Sequence, residues 1–176
     1  MSTFELLLMR HAQAEDHAAG GDAERALSPE GRATAAMMGQ AMKAMGLDFG
    51  AAVVSPFRRA RETAGLVMAE LWFEADYPTD TMLTPSAPPA ETIATLVAHA
   101  RALGGQTPRL FAVGHNPNIT ATLGQLVAGD PGVYFNVAPG DLAHLWCDMT
   151  RSRLHAAVLG YYPARMLQHL YHVPTG

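Results

Sequence analysis

The chain has 176 residues, enough for a single domain with a real hydrophobic core, expected to span 1–176. Apolar residues make up 49% and charged residues 16%, which excludes intrinsic disorder, and a net charge of −4 argues against a nucleic-acid partner. No run of about 18 apolar residues occurs, so no membrane span is expected, and no basic-then-apolar leader opens the chain, so a cytoplasmic protein is expected.

Strand and helix signals alternate along the chain, the pattern of an α/β fold with a mainly parallel sheet. Residues 4–9 read as the first strand and 12–27 as a loop containing Gly20 and Gly21. Ser28 suits a helix N-cap and Pro29 the first helical position; the helix should run to about Met45, with Gly46 ending it. Met37, Met38, Met42 and Met45 read as its core face. A short strand is expected over 51–54, a helix from about Arg58 to Phe73, and another short strand near 81–83. After a proline-rich loop, a helix should run from about Ala90 to Leu103, and residues 109–113 form the next strand. A helix then begins after Pro117 and ends near Gly129. Strands near 142–148 and 154–159 close the chain as an antiparallel hairpin about Thr150-Arg151-Ser152, and 163–172 reads as a short helix. The expected architecture is a three-layer α/β/α sandwich with that hairpin at the C-terminal end. The one cysteine, Cys147, permits no internal disulfide and lies in an apolar run as a buried strand residue.

Three apolar runs end in cationic or imidazole side chains. Phe4–Met9 ends in Arg10-His11, Val53-Val54 leads to Arg58, Arg59 and Arg61, and Leu110–Val113 leads to Gly114-His115. Ligands of open α/β sheets bind beyond the carboxyl ends of strands, so these tips should converge on one cationic pocket suited to phosphate. Covalent phosphoryl transfer needs a nucleophile and positive groups around the phosphoryl oxygens. His11 is the candidate nucleophile, its other ring nitrogen held by a backbone carbonyl or small polar group. Arg10 and Arg59 can supply fork-like hydrogen bonds, and His115 a further donor.

Four segments, in order, resemble the histidine phosphatase superfamily, the phosphoglycerate-mutase-like or RHG family, and within it the short SixA-type phosphohistidine phosphatases. Arg10-His11 matches the RHG motif, with Ala12 in place of the usual glycine. Arg25–Gly31 resembles R-x-L-[ST]-x-x-G, Ser55–Thr63 resembles S-P-x-x-R-A-x-x-T, and Gly114–Pro117 resembles G-H-N-P. The resemblance implies a nucleophile at His11 and a phosphate pocket of Arg10, Arg59 and His115, with no metal and no cofactor. It makes His17, in the loop after the nucleophile, a candidate phosphate contact. Ser55 either hydrogen-bonds near the site or caps a helix, and Asn116 either binds substrate or caps the next helix. The general acid is open: Glu91 is the candidate, with Glu15, Asp16 and Asp22 as others. His99, His144 and His155 read as structural or exposed, and His169 and His172 as solvated. No H-x-x-x-H or H-E-x-x-H metal spacing occurs. The expected activity is removal of phosphate from phosphohistidine on a signalling protein. A small-molecule phosphomonoesterase and a non-catalytic phospho-binding module are the alternatives.

Overall fold

The computed structural model describes residues 3–104, 108–150 and 154–171. Five strands form one sheet: β1 (Thr3–Arg10), β2 (Ala51–Val54), β3 (Arg109–Gly114), β4 (Leu142–Asp148) and β5 (His155–Tyr162). Their order is β2-β3-β1-β4-β5. The first three strands run parallel, and β4 and β5 pair antiparallel beside them. The helices are α1 (Pro29–Ala44), α2 (Arg58–Glu70), α3 (Pro89–Leu103), α4 (Asn118–Ala128) and α5 (Ala164–Tyr171). This is the α/β architecture with a parallel centre and an antiparallel end that the alternating signals predict.

The three parallel strands are covered on both faces, which explains why they read as apolar runs, whereas the edge strand β5 is mostly exposed. On one face Phe4, Leu6, Leu8, Leu110 and Ala112 pack against Leu96 and Ala100 of α3 and Ile119, Leu123 and Leu126 of α4. On the other, Leu7, Met9, Val54, Phe111 and Val113 pack against Met37, Met38 and Met42 of α1, Ala64 and Val67 of α2, and Ala164 of α5. Met45 is an exception to the expected methionine face. It is the C-cap of α1 and 38% exposed, because the helix ends before it can turn inward.

Other boundaries differ for local reasons. Residues 81–83 form one turn of 3₁₀ helix, not a strand: the Asp80 carboxylate accepts the Met82 N–H at 2.8 Å and caps the turn. Sheet pairing there is confined to a single bridge between Val54 and Thr79. Helix α2 stops at Glu70, short of Phe73, and Trp72 adopts a left-handed φ of 55°. The last strand reaches Tyr162 rather than 159. The hairpin turn at Arg151-Ser152 and the residue His172 lie outside the described residues. Cys147 is fully buried in β4, and burial pushes its thiol up to about 12. Among the described residues, no helix is long and apolar enough to cross a membrane.

Parallel register aligns the strand tips. Arg10 pairs with Gly114, and Val54 and Met9 both pair with Val113, so His11, Ser55 and His115 leave the sheet side by side. The loop after β1 returns to α1 through Ser28, whose hydroxyl caps the Gly31 N–H at 3.0 Å. Gly31 is required by close approach: a Cβ there would lie 1.9 Å from the Gln13 carbonyl oxygen. Alanine favours a helix interior over glycine by about 1 kcal/mol, so Gly31→Ala would stabilise an unconstrained helix. Here the methyl group must push Gln13, two residues from His11, out of place. We expect Gly31→Ala to destabilise the fold by about 2 kcal/mol or more in urea titration, as overpacking does. An unchanged or raised midpoint would contradict the close approach.

Candidate active site

The pocket side chains arrive from four segments. Arg10 ends β1 and His11 follows it, Ser55 follows β2, Arg59 lies in the first turn of α2, and His115 follows β3. The His11 and His115 rings lie 4.7 Å apart between centroids. The Phe57 ring meets His115 edge-on at 5.0 Å, and the Arg59 guanidinium carbon lies 5.0 Å from the centre of the same ring.

The hydrogen bonds determine which nitrogen of His11 is free to react. Arg59 Nε donates to His11 Nε2 at 3.2 Å. A guanidinium only donates, so Nε2 must carry a lone pair and the ring proton must sit on Nδ1. His11 Nδ1 lies 2.7 Å from the Ala12 carbonyl oxygen and donates to it. Burial pulls the His11 pKa down to about 4, and the positive charges of Arg59, Arg10 and Arg25 add to this, against the Ala12 bond. At neutral pH the imidazole is uncharged, with its Nε2 lone pair in the pocket.

His115 has a different partner. Ser55 Oγ is fully buried and accepts the Phe57 N–H at 3.3 Å. Ser55 Oγ and His115 Nε2 share a hydrogen bond at 2.8 Å. His115 Nδ1 is buried and has no partner among the described residues. Burial, followed by the charges of His11 and Arg59, lowers the His115 pKa to about 2. Arg10 donates from Nη1 to the Val137 carbonyl at 2.8 Å, and its buried Nε also has no partner. Burial depresses the Arg10 pKa below its ordinary value without making the guanidinium neutral at physiological pH. Buried polar groups without partners are costly.

Arg59 is 4% exposed, whereas its neighbour Arg58 points away to Glu62, 2.8 Å from Nε to Oε1. Arg61 is exposed. The structure thus brings Arg59, and not the arginines beside it, to His11. Ser55 is not a helix cap, since Phe57 occupies that position. Asn116 is not one either: Pro117 precedes α4, and the Asn116 side chain donates to the Val137 carbonyl at 3.0 Å and accepts from Thr120 at 3.2 Å. His17, Glu15, Asp16 and Glu91 are exposed, and none has a side-chain hydrogen bond to the pocket among the described residues. His144 is structural, 2.8 Å from Glu5 Oε2. Among the described residues, no group of three or more His, Cys, Asp or Glu is placed to hold a metal ion.

Three supports escaped the reading of the sequence. Thr63 Oγ1 accepts the Ala12 N–H at 3.1 Å and donates to the Arg59 carbonyl at 2.7 Å, tying the neighbour of His11 to α2. Glu62 Oε2 accepts the Leu27 N–H at 2.9 Å and holds the loop onto the same helix. Asp22 grips Arg59 through its carbonyl oxygen at 2.6 Å and its carboxylate at 3.0 Å. The only signal for these was the spacing within the motifs, which says nothing of partners 35 or more residues away.

With the depressed histidines, folding stability should fall as pH drops from about 6.5 toward 4. In that window the unfolded chain takes up protons at His11 and His115 that the folded chain refuses. The loss should be shallower in His115→Asn, read from denaturation midpoints between pH 6.5 and 4.5. An equal slope in both proteins would contradict a buried neutral His115. Removing a charge-assisted donor from an anion site costs about 2–4 kcal/mol of transition-state stabilisation, so Arg59→Ala should lose roughly 30- to 1000-fold in kcat/KM. Arg58→Ala should lose far less; the reverse order would misplace the pocket.

Comparisons with known proteins agree with this geometry. Residues 6–81 match the model of the histidine phosphatase superfamily, branch 1. That span holds three of the four motifs, and His115 lies beyond it. An uncharacterised protein of Picosynechococcus sp. is 28% identical over 153 residues, covering 86% of this chain and 90% of that protein. The structure of the protein histidine phosphatase SixA complexed with tungstate superposes with a TM-score of 0.80 at 21% identity, covering 93% of this chain and 99% of that one. A Nakamurella multipartitia protein assigned as a phosphohistidine phosphatase SixA gives 0.71 at 25% identity, covering 92% and 96%. Over residues 6–81 the chain is similar to the histidine phosphatase superfamily, and its fold is that of the superposed SixA structure.

Proposed function

We propose that the protein removes phosphate from a phosphohistidine displayed on a signalling protein, through a phosphohistidine intermediate on His11. The observation that carries this reading is the neutral His11 imidazole. Its Nδ1 proton is held by Ala12, and its Nε2 lone pair faces Arg59 in a pocket with two buried nitrogens unpartnered among the described residues. A phosphoryl oxygen arriving between the two groups can take the Arg59 Nε hydrogen bond in place of His11, with the guanidinium held where it is, which releases the lone pair. His11 Nε2 then bonds to phosphorus as the bond from phosphorus to the substrate's imidazole nitrogen breaks, and the leaving ring, already protonated on its other nitrogen, keeps that electron pair and departs as neutral imidazole. Water next attacks the phosphorus, the bond to Nε2 breaks, and inorganic phosphate leaves with the water's oxygen. Arg10, Arg59 and His115 offset the negative charge on the oxygens in both steps.

The choice of substrate rests on the leaving group. An alkyl ester leaves as an alkoxide and needs a placed general acid, whereas imidazole leaves without one. Asp22 is the one acid of those considered that touches the pocket, and hydrogen bonding from Arg25, ahead of Arg59, holds it ionised below the usual carboxylate range. It cannot donate a proton at neutral pH. Glu91 is exposed and unbonded to the site, which supports an acid-independent reaction. The tungstate in the similar SixA structure is an oxyanion, as this pocket's donors require.

Acid-labile phosphate should appear on His11 during turnover and vanish in His11→Ala; label that persists or maps elsewhere would sink the assignment. Values of kcat/KM should rank phosphohistidine first, then activated aryl phosphates, then phosphoserine and sugar phosphates. Glu91→Gln should leave the first unchanged. Efficient hydrolysis of a sugar phosphate with phosphohistidine untouched would promote the small-molecule phosphomonoesterase instead. Binding of phosphohistidine without turnover would favour the non-catalytic module.

A further inference from the structure

We infer that Asp22 is the positioning residue that aims Arg59 at the reacting phosphoryl group; this rests on the reading of His11 as the nucleophile. A guanidinium offers two hydrogen-bonding edges, an end edge of Nη1 and Nη2 and a side edge of Nε and Nη2. Asp22 takes the end edge at two points, its carbonyl oxygen 2.6 Å from Nη1 and its Oδ2 3.0 Å from Nη2. The side edge is left facing the pocket, with Nε 3.2 Å from His11 Nε2. Two points fix the rotation of a planar group, and one does not. With the carbonyl alone, the guanidinium could swing about that single bond and lose the edge-on approach to phosphate.

Asp22 is itself anchored. Its Oδ1 accepts from Arg25 Nη1 at 2.8 Å, and Arg25 Nε donates to the Glu15 carbonyl at 2.6 Å. The residue sits on a single 3₁₀ turn, Asp22–Glu24, entered through Gly21 at a φ of 88°. The chain of contacts runs from the Glu15 backbone through Arg25 and Asp22 to Arg59 and His11. Among the described residues, Asp22 is the carboxylate paired with Arg59, and it reaches that buried guanidinium from a side chain 56% exposed.

This arrangement has an uncommon signature. A carboxylate beside an anion site repels the ground-state anion, so removing it should not weaken phosphate binding. Its contribution lies in orientation, which is felt in the transition state. The test compares wild type, Asp22→Asn, Asp22→Glu and Glu24→Gln. Glu24 is an exposed acid on the same turn that does not touch Arg59. Hydrolysis of an aryl phosphate is measured, with sulfate as a ground-state competitor and vanadate as a transition-state-like one. Asp22→Asn should lower kcat roughly 10- to 100-fold, the scale of a small misplacement of a catalytic group. Its Ki for sulfate should stay level or fall, while its Ki for vanadate rises with the loss in kcat. Asp22→Glu should recover part of the activity, and Glu24→Gln should match wild type. An unchanged kcat in Asp22→Asn, a sulfate Ki rising in step with the loss, or an equal loss in Glu24→Gln overturns the inference. A wild-type protein that neither turns over nor becomes labelled overturns the His11 reading instead, so the two failures are distinct.

Discussion

The contact between a buried arginine and a neutral imidazole is the constraint on which the rest of this structure depends. A guanidinium carries no acceptor and can only donate, so His11 must present Nε2 to Arg59 as an acceptor. That one requirement selects the tautomer, sends the Nδ1 proton to the Ala12 carbonyl, and leaves the ring uncharged. The surrounding cations then reinforce neutrality, since a second positive charge beside Arg10 and Arg59 is disfavoured. In the proposed reaction His11 needs its lone pair, and the arginines proposed to hold phosphate are the ones whose charge keeps it available.

Burying guanidinium groups demands partners, and the fold finds them mostly in backbone carbonyls. Val137 serves Arg10, and the Asp22 carbonyl serves Arg59. Carbonyl partners satisfy donors without cancelling the charge as a full set of carboxylates would. The pocket therefore remains cationic in a protein whose net charge is −4. Asp22 is the exception, and its carboxylate is itself shared with Arg25.

The remaining motif residues act as fasteners between segments. Thr63 ties α2 to Ala12, Glu62 ties α2 to Leu27, and Gly31 lets α1 approach Gln13 where no side chain would fit. Together they hold the loop after β1 against two helices. His11, on the first residue beyond β1, inherits its placement from that strand and from the loop it opens. The covered sheet supplies the first, and these fasteners supply the second.

The fold class, and the convergence of Arg10, His11, Arg59 and His115 at the strand tips, could be read from the sequence because their signals are local. Apolar runs covered on both faces stay apolar at every position, and helix starts such as Ser28-Pro29 carry their caps within a few residues. Arg10, His11, Arg59 and His115 stood out because each follows such a run, and parallel register brings the tips of parallel strands to one edge. What sequence alone did not decide was every feature set by a distant partner. The turn at 81–83 depended on the Asp80 cap, and the roles of Ser55 and Asn116 depended on His115 and Val137. The choice between Asp22 as an acid and Asp22 as an anchor depended on two arginines converging on one carboxylate. Hydrophobic periodicity records which face of an element is buried, and a single chain carries that record at each position. A hydrogen bond between residues 37 or 60 positions apart leaves no such periodic trace, because its direction and protonation are set only when the tertiary structure brings the groups within 3 Å.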